Sequence, residues 1–144
     1  MNQTTAKAPV HLWIVGVLAL LWNAVGAFDY LATKLRLDFY MSQFTAEQLD
    51  YFYGFPAWMV VGWAVGVWGA LLGSLGLLMR KEWAVWMFGA SLLGLAVSTL
   101  YNFVLSNGAE VMGEPAVMFT AVIWVIGLFL FFYARAMAKR GVLR

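Results

Sequence analysis

The sequence predicts an all-α, polytopic membrane protein, a bundle of four transmembrane helices, and three observations predict it. The chain of 144 residues is 64% hydrophobic and 11% charged, against about 45–50% apolar and 25% charged in ordinary soluble domains. It contains four long apolar runs, at about 12–31, 55–79, 83–105 and 116–134, each near the roughly 20 residues that a spanning helix needs. In the second run Gly62, Gly66, Gly69, Gly73 and Gly76 are spaced 4, 3, 4 and 3, which keeps them in one narrow stripe of a helix of 3.6 residues per turn. In lipid the backbone has no water to turn to, so such a helix persists, and its missing side chains let a neighbouring backbone approach. Residues 1–144 read as one membrane domain whose only sizeable loop runs from 32 to 54.

The absence of cysteine excludes thiol redox chemistry, thiolate metal sites and iron–sulfur clusters. A single histidine, His11, cannot supply bis-histidine haem ligation and reads as a polar flank of the first helix. With no Ser–His–Asp set, metal cluster or paired intramembrane carboxylates, the expectation is no enzyme, no catalytic residue, no metal and no cofactor. Lys7, Arg80, Lys81, Arg135, Lys139, Arg140 and Arg144 fall on the side of the two termini, and only Lys34 and Arg36 opposite. Positive residues favour the cytoplasm, so both termini are expected there. Asp29, Asp38, Glu47, Asp50, Glu110 and Glu114 form an acidic outer rim.

The first nine residues are polar and are expected to be unstructured up to the first helix. That helix continues its apolar pattern past Ala27, which argues against a leader cleaved there. Gly16, Ala19, Asn23, Gly26 and Tyr30, spaced 3, 4, 3 and 4, form a second small-residue stripe. The two stripes predict that the first and second helices pack face to face as the tightest pair. Asn23 then sits at mid-membrane in that seam, either as an interhelical hydrogen bond or as a contact in an internal cavity. Asp29, six residues on, is turned about 240° from it and is expected near the outer boundary, at headgroups or paired with Lys34 or Arg36.

In the first outer loop Thr45 and Gln48 have the spacing of a capping box, with Phe44 and Leu49 as a hydrophobic staple; Gly54 and Pro56 follow as stop signals. A short interfacial helix at about 46–53 is predicted, anchored by Phe39, Tyr40, Phe44, Tyr51, Phe52, Tyr53, Phe55 and Trp58, or serving as a lid. Arg80, Lys81 and Glu82 make a tight inner turn. The third helix carries Ser91, Ser98 and Asn102 on one face, either for hydrogen bonding between helices or for a small polar cleft whose candidate ligand-binding residues are Asn23, Ser98 and Asn102, with Tyr101 beside them. Residues 107–115 read as a loop with Gly108 and Gly113 for turns, and the fourth helix as the most lipid-like, ending in a basic tail.

Trp22-Asn23-x-x-Gly26, Pro56-Ala57-Trp58, Leu77-Leu78-Met79-Arg80-Lys81-x-Trp83-Ala84, Ser91-Leu92-Leu93-Gly94 and Ser106-Asn107 before Glu110-Val111-x-Gly113 resemble a largely uncharacterised group of small bacterial four-helix inner-membrane proteins. Some members carry the label "sugar transporter". The resemblance covers nearly the whole chain, implies four crossings of the inner membrane, and transfers no catalytic residue. Two functions compete: transport or binding of a small neutral or amphipathic molecule, and a non-transporting accessory or lipid-binding subunit. The expected partners are membrane lipid and a homo-oligomer or larger membrane complex, with no nucleic acid. The pattern of small multidrug exporters, which needs a membrane-embedded Glu where this chain has Asn23, disfavours proton-coupled cation export. Gly16, Gly26, Gly62, Gly66, Gly69, Gly73 and Gly76 are assigned to helix packing.

Overall fold

A computed structural model describes residues 7–144; most of the N-terminal polar segment predicted above lies outside the described residues. In chain order the helices are α1 (Val10–Lys34), α2 (Asp38–Met41), α3 (Ala46–Tyr53), α4 (Ala57–Leu78), α5 (Trp83–Leu100), α6 (Gly108–Met112) and α7 (Glu114–Lys139). α5 continues as one π-helical turn, Tyr101–Leu105. No strand occurs among the described residues. α1, α4, α5 with its π turn, and α7 are long and apolar enough to cross a membrane, which makes the protein an all-α four-helix membrane bundle. Their outward faces carry exposed Leu18, Val25, Trp86, Leu93, Val104 and Val125, a surface suited to lipid and not to water.

The loop helix α3 is built as its sequence dictates. Thr45 Oγ1 accepts from the Gln48 amide at 3.1 Å, and Gln48 Oε1 accepts from the Thr45 amide at 3.1 Å. This reciprocal cap satisfies two donors that a helix start leaves open. The 107–115 segment, expected as a loop, instead forms the short helix α6, ended by Gly113 at φ +88°.

The glycine stripe of α4 does pack, but on α5 and not on α1 as the sequence suggested. A Cβ built on Gly62 would lie 2.5 Å from Val97 Cγ1, on Gly69 3.1 Å from the Met87 carbonyl, on Gly73 2.7 Å from the Phe88 ring and on Gly76 2.8 Å from Ala84 Cβ. The closest approach is at Gly94 of α5, where a Cβ would fall on the Gly62 carbonyl and the Gly66 amide. The tightest pair is therefore α4 with α5. Two causes favour it. The short turn at 80–82 holds these helices side by side, and α5 offers Ala84, Ser91 and Gly94 to the stripe, so backbone meets backbone.

α1 docks on the adjacent row of α4, about one residue, or 100°, around the helix. Gly16 lies against Leu78 and Leu77. Asn23 Nδ2 donates to Ser74 Oγ at 2.9 Å and to the Ala70 carbonyl at 3.3 Å, and Tyr30 meets Trp63 and Trp68 edge-on. Gly26 is the exception: a Cβ there would meet nothing within 4 Å, so its assignment to helix packing is incorrect. α7 packs on the other side of α5, with Gly127 against Leu92 and Phe131 against Gly89.

The end that carries the termini is closed by a core of Leu12, Leu77, Phe88, Leu130, Met137, Val142 and Leu143. The C-terminal tail is part of this core and not a solvated basic stop. After α7 the chain turns at Gly141 (φ +77°), burying Val142 and Leu143. The tail then clasps the α4–α5 turn: Arg144 N donates to the Arg80 carbonyl (3.1 Å), Glu82 N to the Arg144 carbonyl (3.3 Å) and Arg80 Nε to the Val142 carbonyl (3.0 Å). Arg80 occupies the left-handed position (φ +56°) after α4, where Lys81 N reaches the Gly76 carbonyl at 2.8 Å, a place glycine normally takes. The clasp offsets that strain.

Gly94→Ala should lose about 1–2 kcal/mol net, overpacking outweighing the gain in helix propensity, while Gly26→Ala should match or exceed the parent. Thermal midpoints in one detergent check both, and equal midpoints would refute the contact. Truncation after Gly141 should lower the midpoint by an amount equivalent to about 3–6 kcal/mol, the burial of Val142 and Leu143.

Candidate functional site

α1 and α7 flank the α4–α5 pair without packing along their lengths, and they meet through rings. His11 Nδ1 lies 2.5 Å from Tyr133 Oη near the termini, and Trp22 contacts Phe119 at 5.7 Å between centroids farther along. The space between them is a chamber of about 490 Å³, within the range of small-molecule sites. Phe88, Ile126 and Leu130 form its floor above the terminal core, and α4 and α5 form its back wall. Phe44, Tyr51, Phe52 and Phe55, from α3 and its flanks, cover the opposite end. Val25 and Phe119 line the chamber and are also exposed on the bundle surface, so the opening lies between α1 and α7. Gly26 has its role here, as a side chain omitted from the wall.

Three of the four predicted ligand residues come together. Asn23, Ser98 and Asn102 line the chamber, and Tyr101 does not. Tyr101 packs instead among Tyr51, Phe55 and Trp58, because it lies one residue, about 100°, from the face that Ser98 and Asn102 share. Tyr51 fills the place expected of it. Its hydroxyl donates to Asn102 Oδ1 at 2.7 Å and lies 2.7 Å from Ser106 Oγ, and Ser106 Oγ reaches back to the Tyr101 carbonyl at 2.7 Å. Gly108 allows this approach, since a Cβ there would lie 2.5 Å from both the Tyr51 hydroxyl and the Asn102 carbonyl. Gln48 Nε2 donates to the Val111 carbonyl at 3.4 Å. α3 is thus fastened to the π turn of α5 and to α6 across the chamber's end, beyond what interfacial anchoring requires. Burial raises the Tyr51 phenol above its usual range, partly offset by the Ser106 hydrogen bond, so it remains a donor at physiological pH.

Asp29 departs most from expectation. It lines the chamber with Asn23, and its partner is Tyr40, whose hydroxyl donates to Asp29 Oδ1. A turn of 240° is also 120° the other way, which a chamber wider than a helix face accommodates. Arg36 does not pair with it; the guanidinium lies 3.9 Å above the Tyr53 ring. Burial, then the hydrogen bond to Asp29 and its charge, hold the Tyr40 phenol well above its usual range.

The polar side chains divide into two groups. Asn23, Ser74, Ser91, Thr99 and Thr120 are engaged in helix contacts: Ser91 Oγ donates to the Gly66 carbonyl at 2.6 Å, and Thr99 Oγ1 accepts from Trp124 Nε1 at 3.0 Å. Ser98 Oγ, Asn102 Nδ2, Asp29 Oδ2, Thr33 Oγ1 and the indole N–H groups of Trp22 and Trp63 belong to residues that line the chamber and have no hydrogen-bond partner among the described residues. Among those residues no group of three or more His, Cys, Asp or Glu could hold a metal ion. No family model, curated protein or solved structure matches the chain.

Tyr51→Phe removes the hydroxyl that fastens α3. Amide exchange across residues 46–53 should accelerate by about tenfold, the loss of roughly 1–2 kcal/mol of hydrogen bonding, while exchange in α4 stays unchanged.

Proposed function

We propose that this protein binds, and passes within the membrane, a small amphipathic molecule held in the chamber between α1 and α7. The observation that carries the reading is a set of unpartnered polar atoms, among them Ser98 Oγ, Asn102 Nδ2, Asp29 Oδ2 and Thr33 Oγ1, on an otherwise largely apolar wall. In lipid an unpaired polar group is costly, and a ligand with one polar end would satisfy these atoms while its apolar part lies against Trp22, Leu92 and Ile123. The opening between two lipid-facing helices suits a molecule that arrives from the bilayer. The resemblance to small inner-membrane proteins and the basic residues beside both termini support a bacterial inner membrane with cytoplasmic termini. The competing reading, an accessory subunit of a larger membrane complex, assigns the chamber no ligand.

Native mass spectrometry of the protein extracted with its own lipid separates the two. A small molecule retained by the parent at about one per chain and lost in both Ser98→Ala and Asn102→Leu supports the chamber as its site. Ser98→Ala keeps the Tyr51 fastening intact, so its loss of ligand is not explained by release of α3. Retention in both variants would refute the site, and a stoichiometric foreign polypeptide with no small molecule would establish the accessory role.

A further inference from the structure

We infer that the molecule taken by this chamber is a cation, an amphipathic amine or onium whose charged group sits at Asp29. The inference rests on the reading of the chamber as a ligand site and names its ligand class. Among the described residues that line it, Asp29 is the one acid, and no Lys, Arg or His accompanies it. The nearest basic side chains in sequence are directed elsewhere: Lys34 is exposed and Arg36 stacks on Tyr53. Tyr40 engages only Oδ1, and Oδ2 has no partner among the described residues. A carboxylate in an apolar surround gains either a proton or a countercharge, and no basic side chain lines the chamber to supply the second.

The surroundings suit an organic cation. Tyr40, Phe44, Tyr51, Phe55 and Trp63 line the same end of the chamber as Asp29, and aromatic faces attract ammonium-type groups most strongly when water is excluded. An anionic headgroup would face the carboxylate without compensation. The apolar body of an amphipathic cation fits against the floor at Phe88 and Leu130, while Asn102 Nδ2 and Ser98 Oγ can serve a second polar atom.

The test uses full-length protein in nanodiscs of zwitterionic phosphatidylcholine, with binding to empty discs subtracted. Two probes of similar shape are compared by equilibrium dialysis: tetraphenylphosphonium, a permanent cation, and triphenylphosphine oxide, which is neutral. Wild type should bind the phosphonium at least about tenfold more tightly, since a charge pair at reduced dielectric contributes well beyond that. Asp29→Asn should remove that preference, leave the phosphine oxide within about twofold, and be rescued by Asp29→Glu. Phosphine oxide binding as tight as phosphonium binding in wild type would overturn the cation assignment and leave the ligand reading standing, and this comparison needs no variant. A phosphonium preference that persists in Asp29→Asn would remove Asp29 from the site. Failure of both probes to bind wild type would overturn the ligand reading as well.

Discussion

The structure depends on a backbone contact between two helices. At Gly94 of α5 the chain lies directly on the Gly62 carbonyl and the Gly66 amide of α4, an approach that any side chain at these positions would block. In a bilayer no hydrophobic force draws helices together, because lipid tails are as apolar as leucine, so close van der Waals packing must do so. The glycines supply it by joining α4 and α5 into a slab. α1 then docks on one side of the slab through Gly16, Asn23 and Tyr30, and α7 on the other through Gly127, Thr99 and Trp124. The width of the slab separates α1 from α7, so the chamber follows from how the glycines are satisfied.

What closes the chamber differs at its two ends. At the terminal end the closure is apolar and includes the last residues of the chain: Val142 and Leu143 complete a core with Leu12 and Leu77, and the tail locks the turn at Arg80. At the other end it is polar and aromatic. α3 is held by Tyr51 to Asn102 and by Gln48 to Val111, a few hydrogen bonds worth about 1 kcal/mol each. A π turn lies at the same place, and such turns recur at functional sites. An assembly with one end fixed by burial and the other by a few hydrogen bonds yields first at the second.

Much of the fold was legible because local rules decide it. The apolar runs fix four spanning helices, and Thr45 with Gln48 fixes the start of α3 within its own few residues. Contacts chosen between competing partners were less legible. The glycine stripe of α4 announces a close neighbour without naming it, and two sequential neighbours offered small residues. α5 won through Gly94 together with Ala84 and Ser91, a face whose small residues are fewer and more widely spaced than those of α1. Asn23 could be placed on α1, but Gly26, three residues on in the same stripe, borders the chamber. Tyr101 lies about 100° from the face that Ser98 and Asn102 share, and its neighbours are aromatic residues of the first outer loop and the start of α4. The buried tail was hidden by its charges: Arg140 and Arg144 mark a membrane edge, yet Val142 and Leu143 between them are buried.

Asp29 shows why helical angle alone misjudges a membrane site. Residues 120° apart cannot share a narrow seam, but they can both border a space between two helices that stand apart. The same geometry separates polar groups by use. Those in seams find partners on the adjoining helix, as Asn23 does at Ser74 and Ser91 at Gly66. Groups facing the space have no adjoining helix, and Ser98 Oγ, Asn102 Nδ2 and Asp29 Oδ2 remain without partners among the described residues. In water such groups would need no explanation. Packing accounts for every glycine in the stripe of α4 and for Asn23, whereas Asp29 has one partner, Tyr40, on the wall of the chamber. Seams between helices consume their own polar groups, and only a space between helices leaves such groups open.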